Sequence, residues 1–244
     1  MNHHLINGGR IERAGELYRL IVPPTAHTQY VDAQFDDYAK QLPMRFANRP
    51  PQRLRVRARF SHPIGGLKGT AGFGFWNHPF GQAGQMLAAP SNVWFFHGSP
   101  ESDLRVVRGV AGHGFKAATL NAPPLPPGGG RGARLINGWL DRLLQVPAIS
   151  RLLMATAQRV VQAHERLLKL DITQWHTYEI DWQRQQAIFR IDGEEVLRAA
   201  KPPGGPLGFV AWIDNYKAIA ADGRYEFGYI ALAQTQWLEL TIER

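Results

Sequence analysis

The sequence predicts an all-β chain, a jelly-roll sandwich of two packed antiparallel sheets, and three observations predict it. Short period-2 runs dominate its 244 residues. Glycine and proline punctuate those runs at the spacing of turns. No strand–helix alternation of the kind that builds a parallel sheet is present. Hydrophobic residues make up 44% of the chain, enough for a packed core. All-β domains of this length commonly form a single unit, so one domain over 1–244 is expected.

The expected strands run in order as follows: Leu17–Val22, Arg53–Ser61, Thr70–Trp76, Asn92–Gly98, Leu104–Gly109 and Gly114–Leu120, then Trp175–Trp182, Ala187–Ile191, Glu194–Ala199, Leu207–Asp214, Tyr225–Ala233 and Trp237–Glu243. In Trp175–Trp182, alternation puts His176, Tyr178, Ile180 and Trp182 on one face, which can be core. Asp192-Gly193 supplies a tight turn between the next two strands.

Residues 122–132 are a Pro/Gly linker, because proline cannot donate to a ladder and glycine loses most entropy on ordering. After it the period changes. Leu135, Ile136, Trp139, Leu140, Leu143 and Leu144 form a helical stripe that ends at Pro147. A second helix is expected from about Ala148 to Lys169, with Leu153, Val160 and Leu167 in line. Residues 134–169 are therefore read as a helical insert. It is a cap on the sandwich, a lid, or a pair of helices making peripheral membrane contact.

The net charge of +8 comes mostly from arginine, so this is a basic protein. Arg53, Arg55, Arg57 and Arg59 alternate with Leu54, Val56, Ala58 and Phe60, which is the exposed side of a half-buried strand. A solvated sheet face is the plainer reading, and an anion-binding surface the sharper one. No nucleic-acid motif accompanies the arginines, so nucleic acid is disfavoured as a partner. There are no cysteines, and the histidines show no metal-ligand spacing, so neither metal nor cofactor is expected. The first residues lack a basic segment followed by an apolar one, which makes a cytoplasmic location the default expectation.

Trp175-His-Thr-Tyr-Glu-Ile-Asp-Trp182 followed by Ala187-Ile-Phe-Arg-Ile-Asp-Gly193 resembles the C-terminal half of family-16 glycoside hydrolases. Arg53–Ser61 with Ala71-Gly-Phe-Gly-Phe-Trp76 resembles earlier strands of that family, Pro206–Asp214 its late cleft strand, and Trp237–Arg244 its closing strand. The resemblance covers roughly residues 53–120 and 175–244 and implies a concanavalin-like lectin/glucanase fold. It also implies three acids at alternate positions of one strand. The strand matching that position by chain order, Ser91–His97, contains no acid. Retaining hydrolysis requires two carboxylates about 5 Å apart, so the usual machinery is not expected. Glu179-Ile-Asp181-Trp-Gln183 imitates the acid motif but lies in the tryptophan hairpin, and is read as an exposed strand face.

The resemblance also implies a concave, aromatic cleft. Trp76, His78, Asn92, Trp94, Trp212 and Tyr216 are the expected ligand-binding residues, with His97 and Asp214 as an acid/base pair. Two functions are expected to compete. One is a non-hydrolytic protein binding a carbohydrate or a small apolar ligand. The other is an intracellular isomerase, cyclase or lyase acting on a hydrophobic small molecule through His97 and Asp214.

Overall fold

The computed structural model describes residues 1–38, 45–78, 90–122, 162–221 and 224–243. Among these, strands form two seven-stranded antiparallel sheets and a three-stranded ribbon. The front sheet runs, edge to edge, β1 (Asn2–Ile6), β4 (Asp32–Asp36), β14 (Gly208–Asp214), β6 (Thr70–Trp76), β7 (Ser91–Gly98), β9 (Gly114–Asn121) and β10 (Gln162–Leu167). The back sheet runs β13 (Glu194–Ala200), β12 (Gln186–Ile191), β11 (His176–Trp182), β5 (Gln52–Phe60), β17 (Gln236–Glu243), β3 (Leu17–Val22) and β2 (Arg10–Ala14). The ribbon joins β16 (Arg224–Tyr229), β15 (Tyr216–Ala221) and the two-residue β8 (Asp103–Leu104).

The sheets meet through one set of alternating side chains each. The front sheet supplies Phe35, Phe209, Phe73, Phe75, Phe95 and Phe115; the back sheet supplies Val56, Phe60, Tyr178, Trp182 and Phe189. The rings interlock edge to face, as in Phe95 against Phe189 (5.4 Å, 87°) and Phe73 against Tyr178 (5.2 Å, 65°). The buried Trp182 indole is satisfied by the Pro203 carbonyl at 2.8 Å. Asp192 and Gly193 both take positive φ (53° and 86°), the conformation of a type I′ hairpin turn.

The arginine row of β5 faces outward from the back sheet, and cross-strand acids answer it. Arg53 meets Asp181, Arg55 meets Glu179 and Glu243, and Arg59 shares Glu239 with Arg19. Trp175 lies between Arg57 and Arg59, and Trp237 between Arg59 and Arg19, at 4.7–5.4 Å from guanidinium to ring. The face is largely self-neutralised, which favours the plainer reading of the arginines.

Several expectations need correction. The helical insert lies outside the described residues as far as 161, but its last part, 162–167, is strand β10 paired to β9. Local helix formers lose there to tertiary pairing: β9 would otherwise leave a row of backbone groups without partners. Of the expected strand Leu104–Gly109 only Leu104 is extended, as the second residue of β8, because the chain then turns back and Leu104 N–H bonds the Gly112 carbonyl at 2.9 Å. β1, β2, β4, β10 and β15 were not among the expected strands, and β16 ends at Tyr229, short of the expected Ala233.

Candidate binding face

The front sheet has a second, outward face, and alternation fixes what stands on it. In β7 the outward residues are Asn92, Trp94 and Phe96, because Val93, Phe95 and His97 point into the core. The unbroken register from Ser91 to Gly98 leaves no bulge that could reverse this. Across the strands, Trp212 lines up with Gly72 and Phe96, Val210 with Gly74 and Trp94, and Trp76 with Asn92.

Two glycines let the indoles meet over β6. A Cβ on Gly72 would lie 2.9 Å from the Trp212 ring and 2.3 Å from the Phe95 carbonyl oxygen. Gly74 has φ +149°, and a Cβ there would lie 2.6 Å from Trp94 Cα. With those side chains missing, Trp94 and Trp212 approach to 5.2 Å between ring centroids. Trp76 stacks on Trp212 (6.5 Å, 9°) and tilts against Trp94 (5.9 Å). Phe96 stacks on Trp94 at 5.4 Å. Tyr38, Val210 and Phe46 complete this apolar group, which is separate from the inter-sheet core. Trp76, Trp94 and Phe96 remain half-buried, while Trp212 is almost covered.

Polar atoms edge the rings. Trp76 donates its indole N–H to the Tyr38 hydroxyl. His78, at a positive φ of 42°, sets its ring edge-on to Trp76 (4.9 Å, 86°). Burial lowers the His78 pKa, and its Nδ1 has no partner among the described residues. Asn92 is buried, and its Oδ1 has no partner among the described residues. Trp212 donates to Thr70 Oγ1 at 2.9 Å, and Thr70 in turn donates to Asp214 Oδ1 at 2.9 Å.

The structure thus brings together Trp76, His78, Asn92, Trp94 and Trp212, with Asp214 in the adjoining row. Tyr216 leaves the group for the ribbon, where it stacks on Phe227. His97 does not join them, and the expected His97–Asp214 pair is not formed. His97 is fully buried on the core side, beside Ala71 and Phe115 in register, and its Nε2–H donates to the Leu67 carbonyl at 3.0 Å. Burial pushes its pKa down to about 4, so the ring is neutral.

The sequence reading missed an acidic group on the same outward face. Asp32-Ala-Gln34-Phe-Asp36 places three polar side chains outward along β4, while Ala33 and Phe35 point inward. Asp32 stands in register with Asp214. His4 Nδ1 lies 2.9 Å from Asp32 Oδ2, and the Tyr30 hydroxyl donates to Asp214 Oδ2 at 3.4 Å. Asp214 Oδ1 also accepts from the Thr70 and Tyr216 backbones. Asp36 accepts from Tyr38 N–H and the Gln34 amide. Burial raises Asp32 to about 6 against the opposing pull of His4. Burial, then the nearby Asp32 charge, raises Asp214 to about 7. The hydrogen bond to Asp32 raises His4. Further along the face, Lys116 and Glu165 form a buried pair at 3.5 Å, each pushed toward its neutral form by burial. Among the described residues no group of three His, Asp or Glu is arranged to hold a metal.

No family profile and no curated protein matches the sequence. Solved structures give distant likenesses of chain path. One is a GlcNAcα1-4Gal-releasing endo-β-galactosidase from Clostridium perfringens, at 10% identity and TM-score 0.45, covering 96% of this chain; this chain spans about half, 53%, of that one. Another is a family-16 endo-glucanase from Bacteroides ovatus, at 9% identity and TM-score 0.46, over 96% of this chain and 85% of that one. A third is the Bacillus licheniformis β-glucanase, at 12% identity and TM-score 0.42, over 95% and 79%. The sandwich itself rests on the strand pairing above.

Proposed function

We propose that this chain binds a carbohydrate on the outward face of the front sheet and does not hydrolyse it. The observation that carries this reading is the surface of half-buried rings, Trp76, Trp94 and Phe96, resting on Trp212. The C–H face of a pyranose ring is apolar and weakly electropositive, and it complements the electron-rich face of an indole. Asn92 and His78 stand beside these rings as polar neighbours, with Asn92 Oδ1 and His78 Nδ1 themselves below the surface. The competing function, an enzyme acting on a hydrophobic small molecule through His97 and Asp214, loses its support with the separation of those two residues.

The hydrolytic step needs two accessible carboxylates on either side of the scissile bond. Strand β7 offers Asn92, Trp94 and Phe96 instead. Asp32, Asp36 and Asp214 lie on the same face, but each is below the surface and committed to internal hydrogen bonds. The hairpin from Trp175 to Gly193 supports placing the chain on a family-16-like scaffold whose catalytic acids are replaced.

The test is a panel of neutral gluco-, galacto-, xylo- and manno-oligosaccharides, titrated calorimetrically and assayed in parallel for new reducing ends. Binding of at least one sugar without cleavage is the expected result. Cleavage that disappears in Asp32→Asn or Asp214→Asn would make the chain a hydrolase with relocated acids. Absence of binding across the panel would refute the reading.

A further inference from the structure

The ribbon carries a second set of rings. Its register pairs Tyr216 with Tyr229 and Ala218 with Phe227, so the three rings share one face with only a methyl group between them. Tyr216 and Phe227 are stacked at 6.2 Å and 21°. Tyr30, from the loop before β4, closes the group at 5.2 Å from Tyr229 and 6.4 Å from Tyr216. Phe227 is 59% exposed and Tyr229 37%, even though each already lies against neighbouring rings. Clustered exposed aromatics are costly in water unless something covers them.

This group is bonded to the indole face through a continuous path. The Tyr30 hydroxyl donates to Asp214, which also accepts from Thr70, which accepts from the Trp212 indole. The ribbon's reverse side is neutralised by the Lys217–Glu226 pair at 2.6 Å. The acids next to the platform, Asp32 and Asp214, offer an anionic ligand nothing. The hydroxyls of Tyr216 and Tyr229 supply donors and acceptors at the ring edges.

We infer that the ribbon face is a second sugar platform that takes a further pyranose unit of the chain bound at the indoles. The ligand is then an uncharged oligosaccharide long enough to reach from Trp94 to Phe227. This inference rests on the carbohydrate reading above, and the two fail differently.

The experiment compares disaccharide and hexasaccharide members of the neutral panel by calorimetry, on wild type, Trp94→Ala, Phe227→Ala and Phe227→Trp. Wild type should bind the hexasaccharide more tightly. Phe227→Ala should shrink that length-dependent gain by about threefold to tenfold, the loss of one aromatic stacking partner. Phe227→Trp should restore it. Melting should not change, because Phe227 is exposed. If Trp94→Ala weakens both lengths while Phe227→Ala leaves the gain intact, the ribbon platform is wrong and the indole face stands. If Trp94→Ala alters neither length, or no panel sugar binds wild type, both readings fall. If wild type sediments as a dimer that Phe227→Ala dissociates with the gain unchanged, the ribbon is a contact between copies and the inference is overturned.

Discussion

Asp32 and Asp214 face each other across neighbouring antiparallel strands, each almost wholly buried, with the Tyr30 hydroxyl on one and the His4 ring on the other. Burial makes both carboxyl groups resist ionisation, and the Asp32 charge adds to the effect on Asp214.

A pH dependence follows from that pair. Folding raises Asp32 to about 6 and Asp214 to about 7, above the value near 4 of an unfolded aspartate. The folded chain therefore holds protons that the unfolded chain releases above pH 4. This stabilisation is full below about pH 4 and is lost as pH rises through 7. Urea denaturation should show wild type weaker at pH 8 than at pH 5 by about 1–3 kcal/mol. Asp214→Asn keeps an oxygen for Thr70 and Tyr216 and should flatten that difference. An unchanged slope in the variant would mean that Asp214 is ionised throughout.

Gly74→Ala should destabilise the protein by about 1–3 kcal/mol, since the new methyl group meets Trp94 and the backbone is held at positive φ. It should also force Trp94 away from Trp212 and weaken sugar binding. Thermal melting and tryptophan emission measure both effects. A variant that melts like wild type would show that β6 can shift to admit the methyl.

His97→Ala should lower stability by about 1–3 kcal/mol, from a lost hydrogen bond to Leu67 and a new cavity. Sugar affinity of the folded fraction should not change, because the ring is on the core side of β7. Loss of affinity at full folding would place His97 in the ligand site after all.

Glu239→Gln should cost about 1–3 kcal/mol, because Glu239 is buried between Arg19 and Arg59 and its loss leaves two guanidinium groups without a counter-charge. Arg57→Ala, at an exposed position within the same row, should change stability by under about 0.5 kcal/mol. Equal effects from the two would mean that the whole ladder is held together by the rings rather than by Glu239.

The sequence makes some of this molecule easy to read and hides the rest for identifiable reasons. Thr70–Trp76 and Leu17–Val22 emerge with their bounds intact because glycine or proline flanks short, mostly apolar runs. The outward set on β7 is also legible: Trp94 and His97 are an odd number of residues apart, so only a bulge could bring them to one face. β4 is harder. Val31, Ala33 and Phe35 alternate with Asp32, Gln34 and Asp36, but acids on the second face suggest water, and nothing local says that β1 and Tyr30 cover them. β10 is hidden altogether, since its pairing with β9 is set by the neighbouring strand and not by its own helix-forming residues. The meeting of Trp94 with Trp212 depends on Gly72 and Gly74, whose role appears only when three strands are laid side by side.

The indole contacts over β6 carry one further consequence, for how the protein can be observed. Three of its seven tryptophans hold their ring centroids within 6.5 Å of one another. At that range the electronic transitions of neighbouring indoles couple, which splits their absorption and produces a paired positive and negative band in circular dichroism. A guest that turns Trp94 relative to Trp212 changes the coupling angle and hence the band amplitudes. The indole face is therefore its own unlabelled optical probe.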